Sequence, residues 1–313
     1  MTETAAPNKV VVITTGGTIA CTADRNGILL PTVSGEQLVA PVAARFAPGT
    51  MDIEVRELTR LDSSSMTFAD IDEIVQAVHD VLEDPTVSGV VVTHGTDSME
   101  ETAVAVDTFH NDPRPVVFTG SQKPFDHPES DGPNNLFESI VIASDDSAHG
   151  IGCLIVFGHA VLPARGATKW HTTEELAFAT NGPEEPTRPV PVDLAELAGL
   201  DVRIVHAYPG AGRDILDYLK DKKVDGIVVE SMGSGNVSTE FAHGLIDVLE
   251  AGIPVALSTR VPRGEVLPSY GGVGGGASLH AKGAFPTTYF RSAQARVLLA
   301  ISIATGRHLA TLM

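Results

Sequence analysis

Short runs of apolar, mostly β-branched residues alternate with longer helical patterns over the first half of the chain. The apolar runs predict five strands, at residues 10–14, 53–58, 89–93, 116–119 and 152–157. Between them, apolar positions at helical spacing predict helices near residues 34–46, 68–82, 99–109 and 134–144. This alternation is typical of an α/β domain that has a parallel sheet and crossover helices.

A proline-rich stretch interrupts the alternation. Residues 181–191 contain four prolines, too many for a strand or a helix. We therefore predict a connection over about 181–200, an N-terminal α/β domain over 1–190 and a smaller α/β C-terminal domain over 201–313. Within the second domain the pattern predicts strands at 202–207, 226–230 and 254–258 and helices near 213–220, 240–251 and 292–305. We expect the glycine run 271–276 to need a neighbour or a ligand to order it.

Composition narrows the classes of partner. The 313 residues carry 21 basic and 40 acidic side chains, a net charge of −19, which argues against a nucleic-acid surface but not against a small zwitterion. No run reaches the roughly 18 apolar residues of a membrane span, so we expect no membrane partner. Residues 1–8 lack the basic-then-apolar order of a signal peptide, which favours a cytoplasmic location.

Five predicted strand exits are rich in hydroxyl groups and glycines. In parallel sheets, function collects at the edge where the strands have their carboxyl ends. The five segments are T-T-G-G-T (14–18), L-D-S-S-S-M-T (61–67), T-H-G-T-D (93–97), T-G-S-Q-K-P (119–124) and, in the second domain, E-S-M-G-S-G-N (230–236). One such turn is usually structural, but five at equivalent positions indicate an active site at these strand ends.

The first exit offers a hydroxyl nucleophile, either Thr15 or Thr18, beside glycines whose backbone amides can approach a reacting carbonyl. Such an alcohol needs a proton relay, for which Thr96, Asp97 and Lys169 are the candidates. Two of these have an alternative interpretation that the sequence leaves open. Lys169 can equally be a surface lysine, and Asp97 can equally cap the helix that follows it.

The second exit is a candidate for substrate binding. Asp62, Ser63 and Ser64 can hold the amine and carboxylate of a small zwitterion, or they can form a turn that caps the next helix. Other chemistries lack their signatures: the histidines show no spacing such as H-E-x-x-H, the glycine loops match no nucleotide-binding fingerprint, and no serine lies in G-x-S-x-G. We therefore expect no metal and no cofactor, with Cys21 and Cys153 as buried free thiols.

Two segments together resemble the signatures of the bacterial-type L-asparaginase/glutaminase family. They are T-G-G-T-I-A (15–20) and V-V-T-H-G-T-D-S-M-E-E-T-A (91–103). Shorter matches follow in family order at D-G-P-N-N-L (131–136), T-K (168–169), G-S-G-N (233–236), S-T-R-V-P (258–262) and Q-A-R-V-L-L (294–299). The resemblance covers essentially the whole chain. It implies hydrolysis of L-asparagine to L-aspartate and ammonia, leaves a lower glutaminase activity open, and implies a homotetramer made of two dimers.

The same resemblance implies roles for individual residues. Thr18 becomes the nucleophile on a mobile lid, and Thr96, Lys169 and Asp97 become a proton-relay triad. Ser63 becomes the site of the substrate α-carboxylate, while Asp97 also takes the α-amino group. The other substrate-binding positions are Asp62, Ser64, Gly17, Gly95, Ser121 at the side-chain amide, and Asn236, which reaches the site of a neighbouring subunit.

The chain departs from the family pattern at two places. Family members carry a lid tyrosine where this chain has N-G-I-L-L-P (26–31), and a glutamate given by the neighbouring subunit has no clear match within Tyr270–Gly283. The missing tyrosine motivates an alternative hypothesis, a non-catalytic sensor that binds asparagine or aspartate. A tRNA-dependent amidotransferase subunit of the same fold is disfavoured by the negative charge.

Overall fold

The computed structural model describes residues 8–183 and 187–313. The polar N-terminus before residue 8 and part of the predicted connection, residues 184–186, lie outside the described residues. The chain divides into two compact units, Met1–Thr180 and Asn181–Met313. This division falls at the start of the proline-rich stretch, whereas the sequence pattern extends the first domain to residue 190.

The first unit follows the predicted alternation of strands and helices and adds several short strands to it. Its elements are, in chain order, β1 (Asn8–Gly16), β2 (Cys21–Ala23), β3 (Leu29–Pro31), α1 (Gly35–Ala43), β4 (Met51–Leu61), α2 (Phe68–Leu82), β5 (Val87–Thr93), α3 (Met99–Phe109), β6 (Val116–Thr119), α4 (Gly132–Ala143), β7 (Cys153–Phe157), β8 (Ala160–Pro163), β9 (Ala167–Lys169) and β10 (Phe178–Thr180). A single-turn 3₁₀ helix follows β1 at Thr18–Ala20, and another follows β4 at Ser63–Ser65.

A six-stranded sheet in the order β4-β1-β5-β6-β7-β8 forms the centre of this unit. All neighbouring pairs are parallel except β7 and β8, so the predicted parallel sheet is confirmed and an antiparallel edge strand is added to it. Strand β1 lies between β4 and β5, with Thr14 level with Thr93 of β5. The carboxyl ends of β1 and β5 are therefore side by side.

Helices cover the sheet because its central strands β1, β5, β6 and β7 are mostly apolar and buried on both faces. Helices α1 and α4 contact each other, and an apolar cluster that includes Val12, Val91 and Ile140 lies between them and the sheet. Helices α2 and α3 likewise pack against each other and against the strands. Helix α2 starts where Thr67 forms a capping box with Asp70, as the sequence pattern predicts.

The second unit repeats the same plan on a smaller scale. Its elements are β11 (Val202–His206), α5 (Asp214–Lys222), β12 (Gly226–Ser231), α6 (Thr239–Glu250), β13 (Val255–Thr259), α7 (Gly276–Ala281), β14 (Phe285–Pro286) and α8 (Ser292–Thr305). The strands form a parallel sheet in the order β11-β12-β13-β14. The predicted two-domain α/β architecture is thus confirmed.

The glycine run before α7 is ordered by its own unit. The Gly274 carbonyl accepts a hydrogen bond from Val237 N at 2.9 Å. A Cβ on Gly274 would lie 2.2 Å from the Val237 carbonyl oxygen, so this close approach requires glycine. Within the described part of the chain, no helix has both the length and the apolar character needed to cross a membrane.

Candidate active site

The turn after β1 depends on two glycines. Gly16 and Gly17 have φ values of +103° and +79°, in the left-handed region that glycine adopts readily. A Cβ on Gly17 would lie 2.5 Å from the Gly95 Cα. The turns after β1 and β5 therefore pack backbone against backbone, and they bring the first and third predicted strand exits together.

The two threonines of the first exit have different environments. Thr15 is completely buried, and its Oγ1 donates to the Thr93 carbonyl at 2.9 Å, which joins the ends of β1 and β5. Thr18 directly follows the glycine turn, starts the 3₁₀ helix and lines an open pocket. Only Thr18 of this pair is placed to meet a ligand in that pocket.

Lys169, the last residue of β9, binds the loop after β5 that forms the third predicted strand exit. Its Nζ donates to Thr96 Oγ1 at 2.7 Å and to Asp97 Oδ1 at 2.8 Å. The lysine side chain is mostly buried, whereas the Asp97 carboxylate is more than half exposed. Asp97 is also not the N-cap of α3, since that position belongs to Ser98. Both residues thus have a specific partner in a pocket instead of the surface and capping roles that the sequence left open.

Ser63 is tied to the same loop. Its Oγ accepts a hydrogen bond from Asp97 N at 3.2 Å, and its carbonyl accepts one from Ser98 Oγ at 2.7 Å. The cap of α2 is Thr67. Because Thr67 caps α2, the Ser63 hydroxyl does not act as a helix cap. It binds the loop after β5 that contains Thr96 and Asp97.

A pocket of about 290 Å³ opens at these strand ends. It is open to solvent and is lined by Gly17, Thr18, Cys21, Leu29, Asp62, Ser63, Ser64, Gly95, Thr96, Asp97, Gln122, Lys169 and Thr172. All four predicted catalytic residues are in this lining, together with most of the predicted substrate-binding residues. The lining residues therefore carry hydroxyl groups, carboxylates and one ammonium group, and the space is large enough for a small amino acid.

Two predicted substrate-binding residues do not belong to this lining. Ser121 is buried and donates its hydroxyl hydrogen bond to the Lys123 carbonyl at 2.6 Å. Asn236 belongs to the second unit, where its Oδ1 accepts a hydrogen bond from Gly276 N at 3.3 Å. The roles assigned to these two residues stay predictions.

The pocket contains four residues that the sequence analysis did not select. Gln122 follows Ser121, and its backbone N donates to the Asp131 carboxylate at 2.9 Å, which sets the direction of the loop. Gln122 belongs to the T-G-S-Q segment, which the sequence analysis identified as a strand exit. The sequence analysis selected its neighbour Ser121 from that segment instead. Cys21, Leu29 and Thr172 enter the lining through short hairpins that carry no periodic signal.

Two buried ionisable groups lie next to the relay. The pKa of Glu100 is raised to about 7, mainly by burial and to a smaller extent by the charge of Glu101, while hydrogen bonds from Lys169 N and Thr168 oppose the shift. Burial also lowers the pKa of His94 to about 4, against the effect of its hydrogen bond with the Gly95 carbonyl. His94 is therefore neutral at pH 7, and Glu100 changes its charge near neutrality.

Comparison with known proteins identifies the family of the chain. Residues 9–189 match the family model described as "Asparaginase, N-terminal", and residues 201–312 match "Glutaminase/Asparaginase C-terminal domain". The "L-asparaginase" of Bacillus licheniformis is 30% identical over 95% of this chain and 96% of its own length. The "Probable L-asparaginase" of Deinococcus radiodurans is 32% identical over 95% of this chain and 94% of its own length.

A solved structure agrees with the sequence relatives. "The thermostable L-asparaginase from Thermococcus kodakarensis" superposes with a TM-score of 0.83 at 25% identity, covering 97% of this chain and 95% of that one. The match therefore extends over both units. Two matching family models, a full-length relative at 30% identity and the shared fold establish that this chain belongs to the asparaginase family.

Proposed function

We propose that this chain hydrolyses the side-chain amide of L-asparagine to give L-aspartate and ammonia. The observation that carries the proposal is the pair of hydrogen bonds from Lys169 Nζ to Thr96 and Asp97, made at the wall of a pocket that also holds Thr18. A nucleophile with a neighbouring relay of this kind suits acyl transfer. Membership of the asparaginase family selects the amide of asparagine as the substrate.

In the proposed mechanism, Thr18 Oγ1 attacks the amide carbon and transfers its proton to the relay. The amide oxygen becomes an oxyanion, which backbone N–H groups of the glycine turns stabilise. The C–N bond then breaks as the nitrogen is protonated, and ammonia leaves an ester on Thr18. Water attacks that ester, L-aspartate is released, and the proton returns to Thr18 Oγ1. Thr96, Lys169 and Asp97 carry the protons through these steps.

The charges of the pocket suit the two ends of an amino acid. We propose that Asp97 binds the α-amino group, since its carboxylate is exposed to the pocket while one of its oxygens is held by Lys169. Ser63 and the neighbouring Ser64 are proposed to bind the α-carboxylate, with Asp62 and the backbone at Gly17 and Gly95 completing the site. The substrate amide is then directed towards Thr18.

Ammonia release tests the proposal directly. Initial rates on L-asparagine, D-asparagine and L-glutamine, measured over a concentration range, are expected to show turnover that is highest for L-asparagine. Thr18→Ala and Lys169→Met are expected to lose at least about 100-fold in kcat while remaining folded. Thr18→Ser keeps the hydroxyl and serves as the matched control. Full activity in Thr18→Ala would overturn the assignment of the nucleophile.

A sensor is the second candidate, and the lid supports it. Leu29 contributes an aliphatic side chain to the pocket wall where the family's lid tyrosine is expected, so one hydroxyl near the nucleophile is missing. Calorimetry distinguishes the two functions. Binding of asparagine or aspartate by the purified wild-type chain, with no ammonia produced, would establish the sensor and exclude the enzyme.

We further propose that the chain works in the cytoplasm as a homotetramer of paired dimers, with Asn236 of one protomer near the pocket of another. The family resemblance supports this arrangement. Light scattering coupled to size-exclusion chromatography is expected to give four times the mass of the chain, 32.8 kDa. A fully active monomer would overturn it, because the pocket would then need no second copy.

A further inference from the structure

Glu100 is a buried acid to which the proposed mechanism gives no role. It lies in the first turn of α3, three residues after Asp97, and its side chain is only 7% exposed. Burying a carboxylate carries a free-energy cost unless hydrogen bonds compensate for it. The hydrogen bonds of Glu100 therefore indicate the role of a buried acid at this position.

The Glu100 carboxylate binds the end of β9. Its Oε2 accepts a hydrogen bond from Lys169 N, and its Oε1 accepts one from Thr168 Oγ1 at 3.3 Å. Strand β9 has three residues and pairs with the equally short β10. Such a small ladder fixes its own position weakly. The contact with α3 is thus an important restraint on where the backbone of Lys169 lies.

Lys169 is consequently held at both ends by one segment of the chain. Thr96 and Asp97 bind its Nζ, and Glu100 binds its backbone N–H. A lysine side chain is long and flexible, so its ammonium group reaches a defined point only when its backbone is also fixed. The carboxylate therefore sets the geometry between the lysine and the two groups of the relay.

We infer that Glu100 is a positioning residue, whose hydrogen bond to the backbone of Lys169 holds the lysine Nζ against Thr96 and Asp97 for catalysis. The inference rests on the proposed function. It also explains why a buried acid occurs next to the relay instead of an apolar side chain. Glu100 is not among the residues that line the pocket, so it acts through Lys169 and does not bind substrate.

Two substitutions of Glu100 distinguish its hydrogen bond to Lys169 from its negative charge. In Glu100→Gln the amide oxygen still accepts from Lys169 N–H and the NH₂ group can donate to the Thr168 hydroxyl, so the geometry is kept and the charge is lost. Glu100→Met has similar length and no acceptor. Glu101→Gln removes a charge from the same turn of α3 and leaves the hydrogen bonds of Lys169 with Glu100, Thr96 and Asp97 in place, so it serves as the control.

Asparagine hydrolysis by the full chain is the first readout. We expect Glu100→Met to lose about 10- to 100-fold in kcat with KM changed less than about twofold, since a small displacement of a catalytic group costs rate rather than binding. Glu100→Gln and Glu101→Gln should keep kcat within about threefold. Unchanged kcat in Glu100→Met, an equal loss in Glu100→Gln, or a KM that rises in parallel with the loss would each overturn the inference.

Amide hydrogen exchange at Lys169 is a readout that needs no substrate. The Lys169 N–H should exchange slowly in the wild type and in Glu100→Gln and at least about tenfold faster in Glu100→Met, while the amides within α3 stay protected. Equal protection in all three proteins would refute the inference. An inactive wild type with this exchange pattern would instead refute the proposed function and leave the structural link intact.

Discussion

At the residue scale, the site depends on Gly17 and Gly95, which have no Cβ, as much as on the side chains that line the pocket. A Cβ on Gly95 would lie 2.5 Å from Ser63 Oγ, and a Cβ on Gly17 would lie equally close to the Gly95 backbone. Real Cβ atoms do not approach other atoms so closely, so any larger residue would push the two turns apart. The hydrogen bond from Asp97 N to Ser63 requires the same close packing.

Substitution of Gly17 by alanine tests this packing. Gly17 and Gly49 share a φ of +79°, but a Cβ on Gly49 meets nothing within 4 Å. We expect Gly49→Ala to lose only about 1 kcal/mol of stability through backbone strain, with normal turnover. Gly17→Ala adds a backbone clash and should lose at least about 100-fold in kcat/KM. Normal turnover in both variants would show that the contact between the two turns is not needed for activity.

The pKa of Glu100 gives a second prediction at this scale. The folded chain binds this proton up to about pH 7, whereas an unperturbed glutamate releases it near 4.5, so wild-type stability falls as pH rises through that window. Glu100→Gln cannot titrate. Its stability relative to the wild type should therefore increase by up to about 3 kcal/mol between pH 4.5 and pH 8. Urea unfolding at several pH values measures this, and a difference that is independent of pH would contradict it.

At the element scale, the segment predicted to be a lid is a small hairpin of β2 and β3 with few restraints. Strands β2 and β3 have three residues each, and Ile28 at the end of the connecting loop and Leu29 and Leu30 of β3 are all substantially exposed. The hairpin is joined to the loop after β6 by two bonds, from Phe125 N to the Cys21 carbonyl at 2.8 Å and from Ala23 N to Asp126 at 3.1 Å. An element with so few contacts is expected to open locally.

Asp126→Ala removes one of these bonds without touching the pocket. Loss of a single exposed hydrogen bond is worth about 1 kcal/mol, so we expect KM for L-asparagine to rise about fivefold if closure of the hairpin is coupled to binding. The midpoint of global unfolding should change little because the bond is exposed. Asp126→Asn retains an acceptor and should behave as the wild type. An unchanged KM in Asp126→Ala would separate the hairpin from substrate binding.

At the scale of the whole molecule, the sequence predicts the main elements because their signals are local. Helices α2, α3 and α8 have the predicted limits, since capping residues and apolar spacing lie within each segment. The short hairpins were missed because three residues carry no periodicity. Likewise, the strand exit at Ser121 was identified, but the loop direction that places Gln122 in the pocket depends on Asp131, which lies far enough along the chain to escape a local pattern.

Net charge is the other property of the whole molecule with a functional consequence. We expect a net charge of −19 to give the surroundings of the pocket a negative potential, which salt screens over about 8 Å at physiological ionic strength. Under the proposed function, the substrate and the product respond differently. L-Asparagine is a zwitterion with no net charge, whereas L-aspartate carries one negative charge and is repelled.

Salt should therefore strengthen product inhibition without changing substrate affinity. Between about 0.02 and 0.5 M NaCl we expect the inhibition constant of L-aspartate to fall about two- to threefold, while KM for L-asparagine stays nearly constant. Both ligands occupy one site, so the substrate is the internal control for any effect of salt on folding or on the lid. Parallel changes in the two constants would mean that salt acts on folding or on the lid. An inhibition constant that stays constant or rises would mean that the mostly buried ammonium of Lys169, rather than the charge of the whole chain, sets the potential that the product meets.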